Sequence, residues 1–173
     1  MRRDFIQTVQ DKVAISAVPP STFRGSKAGL TAGVRNFLKR LDLSEFAVSD
    51  PKRFAARLER ATSQMQLALS RQGVTWGIAR KALNLFLRDA FYNTYLRKRF
   101  KLPRAEACYE IPLDGVVAKG LRRRFPKQLP PWPGVRPLTK KVSHVYQAAA
   151  MKEAQKMDLS PVHLDIYLWT KRD

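Results

Sequence analysis

The longest predicted helix of this chain begins with the stretch Trp76-Gly77-Ile78-Ala79-Arg80-Lys81-Ala82-Leu83-Asn84. Apolar residues recur after it at helical spacing, so we predict one helix from Gly77 to Phe100. A second stretch, Ile111-Pro112-Leu113-Asp114-Gly115-Val116-Val117-Ala118-Lys119, places an aspartate at the start of the next helix. We expect these two stretches to organise both the fold and the site.

Helical signals continue through the rest of the chain. Ser49-Asp50-Pro51 and Ser160-Pro161 each place a capping side chain before a proline, which is typical of a helix start. No alternating pattern typical of a strand is present. We predict an all-α fold, a compact helical bundle in one domain over residues 1–173. The predicted helices cover residues 4–15, 28–41, 52–66, 77–100, 114–124, 138–157 and 162–169, and residues 125–137 are expected to be irregular.

The charge of the chain is strongly positive. Thirty-three Lys and Arg residues against fourteen Asp and Glu residues give a net charge of +19. Such self-repulsion does not stabilise a folded protein, so the excess indicates a polyanionic partner. Nucleic acid is the first candidate, because each neutralised phosphate releases counterions. An anionic membrane surface is the weaker alternative.

Cysteine and histidine are scarce. Cys108 is the single cysteine, which excludes an internal disulfide and a cysteine-based zinc site. With only two histidines we predict no metal site. The residues Met1 to Phe5 lack the apolar run of a signal peptide, and no segment approaches the length of a membrane span. We therefore expect an intracellular protein of the cytoplasm or nucleoid, without membrane association.

The first stretch suggests an amine placed for chemistry. We interpret Gly77 to Ala79 as a small-residue turn whose backbone N–H groups bind a phosphate at a helix N-terminus. Lys81 follows in the first turn or so, where the helix end and the neighbouring Arg80 disfavour its ammonium form. A neutral amine is what a nucleophile requires to form a Schiff base with a sugar carbon. The alternative is that Lys81 is one phosphate-contacting or solvated lysine among many.

Asp114 also has two interpretations, a helix cap and a catalytic carboxylate held in place by the helix end.

Basic residues flank both stretches, and Arg80 and Arg88 share one face of the long helix. Lys119, Arg122 and Arg123 lie in the basic run that follows Asp114. These cations either form a solvated surface or contact DNA phosphates, and we favour the second interpretation.

Three segments together resemble the helix-hairpin-helix DNA glycosylase superfamily, most closely the archaeal 8-oxoguanine DNA glycosylase type. Residues 80–84 are similar to its catalytic-lysine stretch, and residues 111–119 to its Ile-Pro-Val-Asp-x-x-Val-Ala-Arg segment. The third segment is Val162-His163-Leu164-Asp165-Ile166-Tyr167-Leu168-Trp169, which resembles its His-Leu-Asp-x-x-Leu-Trp helix. The match is loose before Gln72, so residues 1–70 form a divergent, shortened N-terminal part and residues 71–173 carry the motifs.

The resemblance implies a DNA-repair enzyme that is both glycosylase and AP lyase and needs no cofactor. Lys81 would attack C1′ of a flipped nucleotide, and Asp114 would stabilise the developing positive charge. Asp165 and Trp169 would contact the damaged base, together with His163 on the same segment. The DNA contacts would be Gly77, Ala79, Arg80, Arg88, Lys119, Arg122 and Arg123.

Two other interpretations stay open. A chain that keeps this scaffold without its chemistry would be a non-catalytic nucleic-acid-binding protein. A basic protein that docks on RNA or ribosomes would prefer RNA to duplex DNA that carries a lesion.

Overall fold

The computed structural model describes residues 3–23 and 25–170, with the backbone alone of Arg3, and every regular element in these ranges is helical. The predicted all-α class is confirmed. The helices are α1 Arg3–Ala17, α2 Leu30–Lys39, α3 Pro51–Ala68, α4 Trp76–Tyr92, α5 Thr94–Arg99, α6 Gly115–Arg124, α7 Lys140–Lys156 and α8 Pro161–Thr170. Short 3-10 segments occupy Pro20–Phe23, Leu43–Phe46, Ser70–Gln72 and Leu102–Cys108.

Side-chain caps define where most of the long helices begin. Asp50 accepts a hydrogen bond from the Arg53 N–H ahead of Pro51, as the sequence predicts. Thr75 and Thr139 cap α4 and α7 in the same way. Each cap satisfies a backbone N–H that has no partner within the helix. Caps therefore fix the starting points of the helices that carry the candidate site.

The predicted single helix from Gly77 to Phe100 is wrong, because the chain forms two helices there. Asn93 adopts an extended conformation, with φ −77° and ψ 116°. Its side-chain oxygen accepts hydrogen bonds from the N–H groups of Tyr95 and Leu96 at 3.1 Å each. Asn93 thus ends α4 and caps α5, since its amide competes with the helical backbone for hydrogen bonds.

Buried apolar side chains form two cores. The N-terminal core joins α1 to α5 and the 102–108 segment, and its largest members include Phe46, Phe54, Phe86 and Phe91. The C-terminal core joins α6, α7 and α8 around Tyr146. Residues 125–137 contain no regular helix, as predicted, and α7 begins two residues after the predicted start at Leu138. No helix in the described ranges is both long and apolar enough to cross a membrane.

Gly77 brings α4 against the irregular segment that precedes α7. It is buried in the first turn of α4. A Cβ atom at this position would overlap the carbonyl oxygen of Val135 and lie 2.8 Å from Cβ of Leu138. Backbone cannot move aside as the end of a flexible side chain can, so the space is available only to glycine.

We predict that Gly77→Ala lowers the free energy of unfolding by about 1–3 kcal/mol, because the added methyl group overpacks this contact. Gly115→Ala is the matched control: Gly115 opens α6, and a methyl group added there would have no atom within 4 Å. There the same substitution is expected to be neutral or to stabilise by about 0.4–1 kcal/mol. Urea unfolding measures both variants, and equal midpoints would contradict the assigned role of Gly77.

Candidate active site

The structure brings Lys81 and Asp114 together. Lys81 lies in the second turn of α4, and Asp114 is the residue immediately before α6. The Lys81 Nζ atom is 3.8 Å from Oδ2 of Asp114, and the two side chains are 11% and 16% exposed. The two residues predicted to be catalytic therefore form one mostly buried ion pair between the two cores.

Asp114 uses its two carboxylate oxygens differently. Oδ1 accepts hydrogen bonds from the N–H groups of Val116 at 2.9 Å and Val117 at 3.0 Å, which caps α6. Oδ2 faces Lys81. The preceding stretch is held by Gln147, whose side chain exchanges hydrogen bonds with the backbone N–H and C=O of Ile111 at 3.1 and 2.9 Å. The cap fixes the carboxylate and leaves one oxygen for the amine.

Burial lowers the pKa of the Lys81 ammonium, while the negative charges of Asp114 and Asp165 act in the opposite direction. The lowering agrees in direction with the prediction, but burial, which the prediction did not include, is its largest cause. Lys81 is beyond the first turn, where the helix-end charge acts most strongly. Arg80 forms contacts elsewhere. Removal from water is the dominant cause, as for other buried amines.

Asp165 is buried next to this pair, at 2% exposure. Its Oδ2 atom forms an ion pair with the Arg88 guanidinium. Its Oδ1 atom is buried and has no hydrogen-bond partner in the structure. Burial raises the pKa of the Asp165 carboxyl against the effect of Arg88, and the charges of Asp114 and Asp89 raise it further. The site thus contains an acceptor oxygen without a protein donor.

Arg88 forms ion pairs within the fold, which does not favour the predicted DNA contact. Its guanidinium binds Asp89 at 2.8 Å as well as Asp165. Two carboxylates therefore neutralise a side chain that is only 21% exposed. A guanidinium engaged in this way holds the Asp165 carboxylate in place and is less available to a phosphate.

Arg80 is also not the predicted DNA contact, because it is buried at 6% exposure. It donates to Oγ1 of Thr62 at 2.9 Å and forms ion pairs with Glu59 at 3.3 Å and Glu110 at 3.1 Å. Its guanidinium lies over the Trp76 ring, 5.0 Å from the centroid. Arg80 links α3, α4 and the Glu110 segment.

The predicted phosphate-binding turn at Gly77 and Ala79 is wrong. Both residues are buried inside the first turn of α4, which begins at Trp76. The Ala79 N–H donates to the carbonyl oxygen of Thr75 at 3.0 Å. Oγ1 of Thr75 accepts from the Ile78 N–H. The N–H groups of Ile78 and Ala79 are therefore already used by the helix and its cap.

His163 is not placed as a base contact, because both of its ring nitrogens have other partners. Nδ1 lies 2.7 Å from the Tyr92 hydroxyl, and Nε2 lies 3.0 Å from Oε1 of Glu106.

Trp169 lies one turn after Asp165 in α8 and is 43% exposed. Its proposed stacking on a base stays a prediction.

Lys119, Arg122 and Arg123 are exposed on α6, the helix capped by Asp114. Their contact with DNA also stays a prediction.

In the described part of the chain, no group of three or more His, Cys, Asp or Glu side chains is arranged to hold a metal ion.

Sequence reasoning missed the acids that meet the polar face of α4, above all Glu59, Asp89 and Glu110. A signal existed. Arg80, Lys81, Asn84 and Arg88 share one face of an otherwise buried helix, and buried cations require acidic partners. Glu110 binds both Arg80 and the side-chain amide of Asn84, the latter at 3.0 Å.

Comparisons of the chain with protein-family models, with curated proteins and with solved structures gave no match.

Proposed function

We propose that this protein is a DNA glycosylase and AP lyase that removes a damaged base of the 8-oxoguanine kind through a Schiff base on Lys81. The observation that carries the proposal is the 3.8 Å approach of Lys81 Nζ to Oδ2 of Asp114. A lysine with a lowered pKa beside a fixed carboxylate is an arrangement suited to nucleophilic catalysis.

The reaction begins with deprotonation of Lys81, and Asp114 is placed to take the proton. The Nζ lone pair then forms a bond to C1′ as the N-glycosidic bond breaks, and the base leaves with the bonding electrons and takes the proton from Asp114. Transfer of a proton from Nζ to O4′ opens the sugar ring and gives the Schiff base between Nζ and C1′. Loss of a C2′ proton to the Asp114 carboxylate then breaks the C3′–O3′ bond and cuts the strand. Water hydrolyses the Schiff base and releases Lys81.

Asp165 and Trp169 fit the recognition of a base, because residues four apart lie on the same side of a helix. The Oδ1 atom of Asp165 has no protein donor and would accept an N–H of the flipped base, which must uncover this buried atom as it binds. Trp169 offers a partly exposed ring for stacking. Arg88 holds Asp165 in this orientation.

A non-catalytic nucleic-acid-binding protein is the second candidate, and one observation favours it. The Lys81–Asp114 pair stands in a row with the Arg80–Glu110 and Arg88–Asp165 pairs, all between α4 and the residues that face it. In such a row the lysine holds the two cores together, and Asp114 serves as a cap alone.

Borohydride trapping on duplex DNA that contains 8-oxoguanine or an abasic site separates these candidates. We expect the wild type to form a covalent adduct and Lys81→Gln to form none. Asp114→Asn is expected to slow adduct formation by about 10²- to 10⁴-fold. Since asparagine caps helices as well as aspartate does, this variant keeps the cap and removes only the charge.

Lys141→Gln is the matched control, because Lys141 is exposed on α7 and distant in sequence from both motifs. It should form the adduct at the wild-type rate. Wild-type protein that binds lesion-bearing DNA but forms no adduct would refute the enzyme and leave the binding protein.

The pH dependence of trapping reports the pKa of Lys81. Adduct formation should rise with pH and level off below the ordinary lysine pKa, because only the neutral amine attacks. Asp165→Asn removes a negative charge that raises the Lys81 pKa. The rise in its profile should therefore lie at lower pH than in the wild type.

Asp89→Asn is the control for this measurement, since Asp89 binds Arg88 but is not among the charges that act on Lys81. Its profile should coincide with that of the wild type. An unchanged or upward midpoint for Asp165→Asn would show that Asp165 does not act on the reacting amine.

A further inference from the structure

A cavity of about 520 Å³ lies at the end of α4, next to α5 and the 102–108 segment. Two hydroxyl-bearing side chains and four cationic ones line it, with no acidic side chain in the lining: Tyr92, Thr94, Arg97, Lys98, Lys101 and Arg104. Pro103 completes the lining, and four cations without an acid favour an anionic ligand.

The cations of this cavity differ from those between the two cores. Arg80, Lys81 and Arg88 are each neutralised by one or two carboxylates. Among the described residues, no carboxylate forms an ion pair with any of the four cations in the cavity lining. Their charge is therefore available to a ligand.

Two members of the lining are held in place. The Arg97 guanidinium lies over the Phe91 ring, 4.6 Å from its centroid. The Tyr92 hydroxyl is 2.7 Å from Nδ1 of His163, which also contacts Glu106. Side chains that are already ordered lose less entropy when they bind a ligand.

The cavity shares a face of α4 with the candidate active site. Tyr92 follows Lys81 by eleven residues, which is close to three turns at 3.6 residues per turn, so both lie on the same side of the helix. The separation along the axis is about 16 Å at about 1.5 Å per residue. DNA rises about 3.4 Å per nucleotide, so about 16 Å corresponds to roughly five nucleotides.

We propose that this cavity binds backbone phosphates of the DNA strand that is attacked at Lys81, roughly five nucleotides from the damaged one. The inference rests on the proposed function for its ligand, and it assigns the phosphate contact to residues 97–104 in place of Arg80 and Arg88. The cavity thus sets the register of the strand relative to the reacting amine.

The first experiment measures binding to undamaged duplex DNA by fluorescence anisotropy over a series of salt concentrations. Lys98→Gln/Arg104→Gln should weaken binding and reduce the slope of log K against log salt by about 2, close to one unit for each lost phosphate contact. Lys141→Gln/Arg71→Gln removes the same charge from two exposed residues outside the cavity and should leave the slope unchanged.

Equal losses of affinity and slope in the two double variants would overturn the inference, because the effect would then be one of net charge. An unchanged slope in the cavity variant would overturn it as well. Trapping at saturating DNA tests the proposed function separately, since Lys81 is intact in both variants. If the wild type forms an adduct but the cavity variant has an unchanged slope, only the proposed phosphate site is refuted. If the wild type binds DNA and forms no adduct, only the proposed enzyme activity is refuted.

Neutral methylphosphonate linkages placed singly along the lesion strand test the register. At the position bound by the cavity, the neutral linkage should weaken binding of the wild type but not of Lys98→Gln/Arg104→Gln. We expect that position roughly five nucleotides from the lesion. If each neutral linkage lowers the affinity of the wild type and of the double variant equally at every position, the proposed register is refuted.

Discussion

The charged contact between α4 and the acids that face it is the interaction on which the rest of the structure depends. Cations from one helix meet carboxylates from two later parts of the chain, the segment before α6 at Glu110 and Asp114, and α8 at Asp165. Buried charges are costly unless each is paired, so these partners constrain one another. The contact fixes how α6 and α8 sit against α4, and it leaves one amine among the cations that is able to lose its proton.

The same contact supports the proposal that so basic a chain has an anionic partner. Only fourteen acidic residues are present, and several of them are used in contacts within the fold, with Arg80, Lys81, Arg88 and His163 among their partners. Acids used inside the fold cannot neutralise the surface. The cavity at the end of α4 keeps its positive charge for this reason, and a polyanion is the ligand that such a surface favours.

The sequence was sufficient to predict the helical class and most helix starts, because caps such as Asp50 and Thr139 act on neighbouring residues. It did not predict the break at Asn93, since asparagine is tolerated within helices and its capping geometry depends on the local backbone. The packing of Gly77 against Val135 was also missed, because it joins residues far apart in the chain. The closeness of Lys81 and Asp114 followed from the family resemblance, whereas the acids on Arg80 and Arg88 depend on the tertiary fold.

We infer that burial makes Lys81 more readily deprotonated than an ordinary lysine. Reductive ¹³C-methylation followed by an NMR pH titration measures this directly, with the Lys81 resonance assigned by its absence in Lys81→Gln. We expect the Lys81 resonance to titrate at lower pH than an ordinary lysine does. A Lys81 resonance that titrates as an ordinary lysine does would contradict this inference.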